Sequence, residues 1–139
     1  MADYTTEMDC IRTFLLAVHT DATTKHFTEQ RNIEDIVDAS GQKMLVRIGE
    51  IISRDGDFYW KRYKVQISET GEATLTTAIN NIIIGIEKFN RRASIDGFTY
   101  ASAPTMCHMK FAYGNIAWED PVNKRWACDI FIDVEWSTQ

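Results

Sequence analysis

The most organised ionisable residues of the sequence are three acids near its C-terminus. Asp129, Asp133 and Glu135 share one parity of a segment in which hydrophobic residues fill most of the alternate positions. In a β-strand this spacing places the three carboxylates on one face. Neighbours on a strand face lie about 7 Å apart, so Asp129 and Asp133 are too far apart to chelate one ion. We therefore predict no metal site here and interpret the acids as a solvated or channel-lining face.

The three histidines do not form a constellation that indicates catalysis. His19, His26 and His108 lie in separate segments, and none has a carboxylate or cysteine at the spacing of a triad or a metal ligand set. His19 falls at the end of a predicted helix, where a cap or an exposed imidazole is the simplest interpretation. His108 falls within a predicted strand and is interpreted as a half-buried strand residue.

The spacing of the cysteines and the absence of glycine-rich motifs argue against several further classes of site. Cys10, Cys107 and Cys128 form no CxxC pair and have no zinc-type spacing with histidine. Cys107 and Cys128 could face each other across a hairpin, but buried free thiols are the default interpretation. Phosphate-loop and nucleophile-elbow patterns do not occur in the sequence. We therefore predict a protein without catalytic residues, bound metal or cofactor, and not an enzyme.

Aromatic residues (Phe58, Tyr59, Trp60 and Tyr63) are interleaved with basic ones (Lys61, Arg62 and Lys64), a pattern that also occurs in proteins that bind single-stranded nucleic acid. The same pattern is typical of a strand with one face on the core and basic residues on its edge. The formal net charge of −5 disfavours broad adhesion to nucleic acid or anionic lipid. We therefore favour the ordinary strand, and interpret three basic pairs as solvated strand edges, helix ends or turns. They are Lys61-Arg62, Arg91-Arg92 and Lys124-Arg125.

Length and composition indicate one globular domain spanning residues 1–139. The chain has 139 residues, of which 45% are hydrophobic and 25% are charged. Its apolar runs are shorter than a membrane span, and its acidic, polar N-terminus does not resemble a signal peptide. We expect a protein that is assembled in the cytoplasm and does not contact membranes.

The first half of the chain predicts one helix and one hairpin. Hydrophobic residues at helical spacing indicate an amphipathic helix over about 6–19, with acids in its first turn. The polar, threonine-rich stretch 20–42 indicates an extended arm or long loop, with a short helical piece around Ile33 to Val37, that orders against a neighbouring subunit. The Asp55-Gly56 pair then separates two strands, about 44–52 and 58–68, in the manner of a tight hairpin.

The second half predicts a long helix and a second hairpin. A stripe at three-and-four spacing indicates a helix buried on one side, with basic residues at its end: Leu75, Ile79, Ile82, Ile83, Ile86 and Phe89. Segments 106–118 and 124–136 then flank a charged turn at 119–123. These elements predict an α+β fold, in which an antiparallel sheet of two hairpins packs against one long amphipathic helix, with an additional N-terminal helix.

This order of elements resembles a known viral family. From Met44 to Trp136 the chain runs strand, Asp-Gly turn, strand, amphipathic helix, loop and long hairpin with a charged turn at 119–125 and an alternating strand at 126–136. That pattern resembles the tail-terminator and tail-completion (head-tail joining) proteins of long-tailed phages and related viruses. The resemblance covers about two-thirds of the chain, and segment 20–42 departs from it.

The resemblance implies a virion structural protein of the tail or neck. Such proteins form a homo-oligomeric ring, commonly of six subunits, at the head-proximal end of a tail tube, where they contact other tail and neck proteins. DNA passes through the lumen without sequence-specific binding, which makes Asp129, Asp133 and Glu135 candidate lumen-facing acids. The alternative function is a small ferredoxin-like ligand-binding or regulatory module.

Overall fold

The computed structural model describes residues 4–19, 24–27, 42–47, 49–100, 105–120 and 125–138. Two helices and seven strands form an α+β arrangement in this part of the chain, as the sequence predicts, with four strands after the first helix and three after the second. The helices are α1 (Tyr4–Val18) and α2 (Glu72–Asn90). The strands are β1 (Thr24–Phe27), β2 (Gln42–Val46), β3 (Glu50–Asp55), β4 (Phe58–Glu69), β5 (Met106–Gly114), β6 (Trp118–Asp120) and β7 (Arg125–Ser137).

The strands form one sheet whose centre is the antiparallel pair of β4 and β7. These two strands pair along their whole length, from Phe58 opposite Ser137 to Glu69 opposite Trp126. The other edge of β4 pairs with β3 near the start of β4 and with β2 near its end. The other edge of β7 pairs with β5 and β6. Strand β1 extends the sheet beyond β2 and is parallel to it, whereas the other pairs are antiparallel.

A glycine explains the tight turn of the first hairpin, and the alternation of hydrophobic residues explains which side of the last strand faces the core. Gly56 takes a φ of 59°, a left-handed conformation that glycine adopts at little cost, in the tight turn between β3 and β4. Along β7, Cys128, Ile130, Ile132 and Val134 face the core, as the sequence alternation predicts. Residues 121–124 of the predicted charged turn lie outside the described residues.

The two helices cover one face of this sheet and enclose the core with it. On α2 the buried residues follow the predicted helical period, and Ile79 and Ile83 are half-buried at the margin of the stripe. Helix α1 crosses α2 closely at Gly85, where a Cβ atom would lie 2.8 Å from Cβ of Val18 and 3.3 Å from Cζ of Phe14. Gly85 therefore permits the close contact of the helices. Neither described helix is long and apolar enough to cross a membrane.

The segment predicted as an arm or long loop is described only in part. Thr24–Phe27 form β1, in register with Gln42 to Leu45 of β2. The remainder of the predicted arm, including the short helical piece proposed around Ile33 to Val37, lies outside the described residues. The boundaries of one domain over 1–139 stay a prediction.

Candidate functional site

The three acids lie on the side of the sheet that faces away from both helices, which we call the outer face. This face carries the side chains that alternate with the core positions of β4 and β7 and their neighbours in register on β3 and β5. On β4 and β7 its polar and aromatic members are mostly half-buried. They include Trp60, Arg62, Lys64, Gln66, Asp129, Phe131, Asp133 and Glu135.

Asp133 is held by a two-pronged ion pair in the middle of the outer face. Arg62 Nε donates to Asp133 Oδ1 at 2.8 Å, and Arg62 Nη2 donates to Oδ2 at 3.0 Å. The pairing raises the pKa of Arg62 above its ordinary value, with the hydrogen bond to Asp133 as the largest cause. Asp133 is buried. The main role of Asp133 is therefore to pair with Arg62, because a buried carboxylate requires a partner of opposite charge.

The other two acids, Asp129 and Glu135, are more exposed to solvent than Asp133. Lys64 Nζ lies 3.5 Å from Asp129 Oδ2, and both side chains are partly exposed, so the pair contributes little to stability. Glu135 lies opposite Trp60 of β4 and His108 of β5. Its carboxylate lies near enough to Cys107 to raise the pKa of that thiol, although burial is the larger cause.

Aromatic rings on the outer face are covered by cations of neighbouring strands. Tyr113 stacks on Phe131 with ring centroids 4.4 Å apart, and the guanidinium of Arg62 lies 5.4 Å from the Tyr113 centroid. Lys110 Nζ lies 4.7 Å from the centroid of Trp60. Of the aromatic and basic residues at positions 58 to 64, Trp60, Arg62 and Lys64 thus have charged or aromatic partners on this face.

Charges on the outer face balance among the described residues. Five cations and five acids share it; these are Arg47, Arg62, Lys64, Lys110 and Arg125, and Glu50, Asp55, Asp129, Asp133 and Glu135. In the described part of the chain, histidine, cysteine and acidic side chains form no group that could hold a metal ion. The outer face is therefore a near-neutral surface rather than a charged binding groove.

A second polar cluster lies inside the core, where sequence reasoning does not place one. The Glu7 carboxylate of α1 accepts bonds from three side chains of β4: Lys61 Nζ at 2.8 Å, Tyr59 OH at 2.9 Å and Tyr63 OH at 2.7 Å. Lys61 is only 3% exposed, so its interpretation as a solvated basic residue is wrong. Parity gives the missed signal, because Lys61 alternates with Arg62 and shares the core-facing side of Tyr59 and Tyr63.

The two phenols of this cluster serve as donors over the neutral pH range. Burial raises the pKa of Tyr59 and of Tyr63 well above the ordinary value, and the hydrogen bond to Glu7 raises each further. A tyrosine whose pKa is higher in the folded state stabilises that state below its unfolded pKa, near 10. That stabilisation is lost as pH rises above about 10, so the tyrosines of the core cluster make it weaker in alkali.

The C-terminal end of α1 is also fixed by buried polar groups. His19 is buried, with Nε2 3.7 Å from Glu69 Oε1 and Nδ1 3.1 Å from Asn81 Nδ2. The interpretation of His19 as an exposed residue or cap is therefore wrong, because the imidazole joins α1 to β4 and α2. Arg125 is likewise buried rather than solvated. His108 is half-buried as predicted, and His26 lies in β1.

The cysteines do not form a reactive site. Cys10, Cys107 and Cys128 are free thiols, and burial raises the pKa of each. A raised pKa keeps a thiol protonated and weakly nucleophilic at neutral pH. The hypothesis that Cys107 faces Cys128 across the last hairpin is wrong, since Cys107 lies beside Trp136 at the far end of β7.

Comparison with known proteins finds a similar fold in a chain of a virion. No family model matches the sequence, and no curated protein matches it. Among solved structures, the chain is similar to one in the virion of a native gene transfer agent (GTA) particle, with a TM-score of 0.54. The match covers 88% of this chain and 84% of that chain at 8% sequence identity. At this identity the likeness is one of fold.

Proposed function

We propose that the chain is a non-enzymatic structural protein of a phage-like virion, located in the tail or neck. The observation that carries the proposal is the fold shared with a chain of the GTA virion over 88% of the present chain. The paired charges and covered rings of the outer face support it, because they suit a protein surface better than a catalytic pocket.

The finer proposal is that of a tail terminator. In this role, copies of the chain assemble into a homo-oligomeric ring of six subunits at the head-proximal end of a tail tube, in contact with other tail and neck proteins. The order of elements from β2 to β7 supports this role through its resemblance to tail-completion proteins.

The test of this role is the mass of the purified chain across a range of concentrations. We expect light scattering after size-exclusion chromatography to show a closed oligomer, and electron microscopy to show annular particles with a central hole. A single-chain mass at every concentration would contradict the ring and would favour the alternative, a small ligand-binding module.

We further propose that the outer face borders the lumen of the ring. Its balanced charges favour passage of a polyanion, because a net positive lining would retain DNA and a strongly negative one would repel its own neighbours around the ring. Asp129 and Glu135 are the two acids that can be changed without removing the partner of Arg62. Asp133 has to be kept in any test, because its loss would leave Arg62 without its carboxylate.

We expect the Asp129→Lys/Glu135→Lys variant to form rings that retain DNA at low salt, with retention falling steeply as salt rises. The matched neutral variant, Asp129→Asn/Glu135→Gln, changes the same positions and should retain less. Retention is measured by filter binding of labelled duplex DNA at several salt concentrations. Rings of the lysine variant that ignore DNA at every salt concentration would place these acids outside the lumen.

A further inference from the structure

Strand β5 forms one margin of the sheet, and side chains from the end of α2 cover part of its free edge. Among the described strands β5 is the last in the sheet order and pairs only with β7. The free side of a marginal strand presents backbone N–H and C=O groups with which another chain can pair. Near the start of β5 such groups are bonded by Asn90, the last residue of α2, and by Arg92.

Asn90 pairs with β5 as a residue of a neighbouring strand would. Its Nδ2 donates to Met109 O at 2.8 Å, and Met109 N donates to its Oδ1 at 2.9 Å. A side-chain amide has the same donor and acceptor groups as a peptide, and the exchange of both bonds with one residue is typical of an antiparallel ladder. Because both backbone groups of Met109 are bonded in this way, a strand of another chain finds no partner at this position.

Arg92 covers the same edge at a bulge. The register of β5 with β7 shifts between Met106 and His108, which leaves Cys107 without a residue opposite it. Arg92 Nη2 donates to Cys107 O at 3.0 Å, and its guanidinium lies 5.1 Å from the centroid of Tyr100. The guanidinium therefore occupies a carbonyl that the ladder with β7 leaves out.

The backbone of Arg92 has a conformation that favours a different residue. Ala93 N donates to Lys88 O at 2.9 Å and Arg92 N donates to Phe89 O at 3.0 Å, which is the pattern that ends many helices with a left-handed residue. The φ of Arg92 is 54°, and glycine is the usual residue at such a position. An arginine here costs free energy, and the contacts of its side chain with β5 account for its presence.

We infer that Asn90 and Arg92 form an edge cap that prevents a strand of a second copy from pairing with β5. A second copy is the chain to be excluded, because every copy has the same edge and two such edges can pair antiparallel to each other. The rest of β5 has other features that discourage strand addition, namely a second register shift between Phe111 and Tyr113 and the exposed Lys110. Contacts between copies of the intact chain therefore do not use this edge.

Two variants open the edge, and a third is their control. Asn90→Ala removes both bonds to Met109. Arg92→Gly removes the guanidinium and places glycine at the positive φ, so this variant should fold even where Asn90→Ala does not. Asn81→Ala is the matched control, because Asn81 is also a half-buried asparagine of α2 and its amide contacts His19, away from the edge.

We expect both edge variants to self-associate about 10-fold more tightly than the parent, since each frees backbone groups that can bond between copies. Analytical ultracentrifugation over a range of concentrations measures association, and urea denaturation measures stability. The control Asn81→Ala should associate like the parent although its stability falls. The comparison is made with the parent at equal concentration, so it holds whether or not the parent forms the proposed ring.

Hydrogen exchange of the Met109 amide tests where the copies meet. In the parent this amide is bonded to Asn90 and should be protected at every protein concentration. In Asn90→Ala it should exchange rapidly at low concentration and regain protection as the concentration rises.

Three results would overturn the inference. The first is a pair of edge variants that associate no more than the parent, because Asn90 and Arg92 would then only satisfy polar groups of β5. The second is equal association in Asn81→Ala, because association would then follow the loss of stability. The third is exchange of the Met109 amide in Asn90→Ala that does not depend on concentration.

Discussion

Replacing Glu7 by glutamine is expected to lower the free energy of unfolding by about 3–5 kcal/mol, the usual cost of removing one member of a buried ion pair. Lys61 Nζ lies 2.8 Å from Glu7 Oε1, and the Glu7 side chain has no solvent exposure. Glutamine keeps the size of the side chain but removes its charge, so the ammonium of Lys61 stays buried and loses the carboxylate 2.8 Å away. Urea denaturation followed by circular dichroism measures the change.

Two further variants separate charge burial from other effects of the Glu7 substitution. Asp9→Ala removes an exposed acid from the same helix and should change stability by no more than about 0.5 kcal/mol. The double variant Glu7→Gln/Lys61→Met removes both charges and should recover much of the loss, because no unpaired charge is then buried. A Glu7→Gln protein as stable as its parent would show that the pair does not form in solution.

Periodicity predicts those parts of the fold that depend on local chain geometry. The stripe from Leu75 to Phe89 gives the helix α2 and its buried side, because hydrophobic residues at helical spacing have only one face to bury. Gly56 marks the first hairpin, since the tight turn there requires positive φ. Alternation in β7 likewise identifies which side of the last strand faces the core.

Periodicity does not identify the partner of a polar residue, which depends on elements distant in sequence. Glu7 reads as a helix-dipole acid and Lys61 as a basic residue at a strand edge, yet they meet across 54 positions. Asp133 shares a strand face with Asp129, but its role is decided by Arg62 on the neighbouring strand. Such pairs depend on strand register and helix packing, and no local pattern in the sequence indicates either of them.

The same limit applies to the candidate site. The sequence places Asp129, Asp133 and Glu135 on one face, and the parity of β7 agrees. It does not predict that the cations of β4 and β5 balance them, because β4, β5 and β7 are adjacent only in the folded sheet. The face is acidic when β7 is considered alone, but its net charge is near zero when β3, β4, β5 and β7 are considered together. This difference alters how a polyanion would interact with it and is the reason that only Asp129 and Glu135 are suitable for charge reversal.

Aspartate at position 82 is expected to unfold the protein or to remove most of its stability. Ile82 has no solvent exposure on the side of α2 that packs on the sheet. The substitution loses about 1.5–3 kcal/mol of hydrophobic burial and leaves a carboxylate without a partner, against a total stability of about 5–15 kcal/mol for a domain.

The two following isoleucines are matched controls, since Ile83 is half-buried and Ile84 is half-exposed on the same helix. Urea denaturation should rank the loss as Ile82→Asp, then Ile83→Asp, then Ile84→Asp, with the last within about 0.5 kcal/mol of the parent. Equal losses at the three positions would mean that α2 does not present the side containing Ile82 to the sheet.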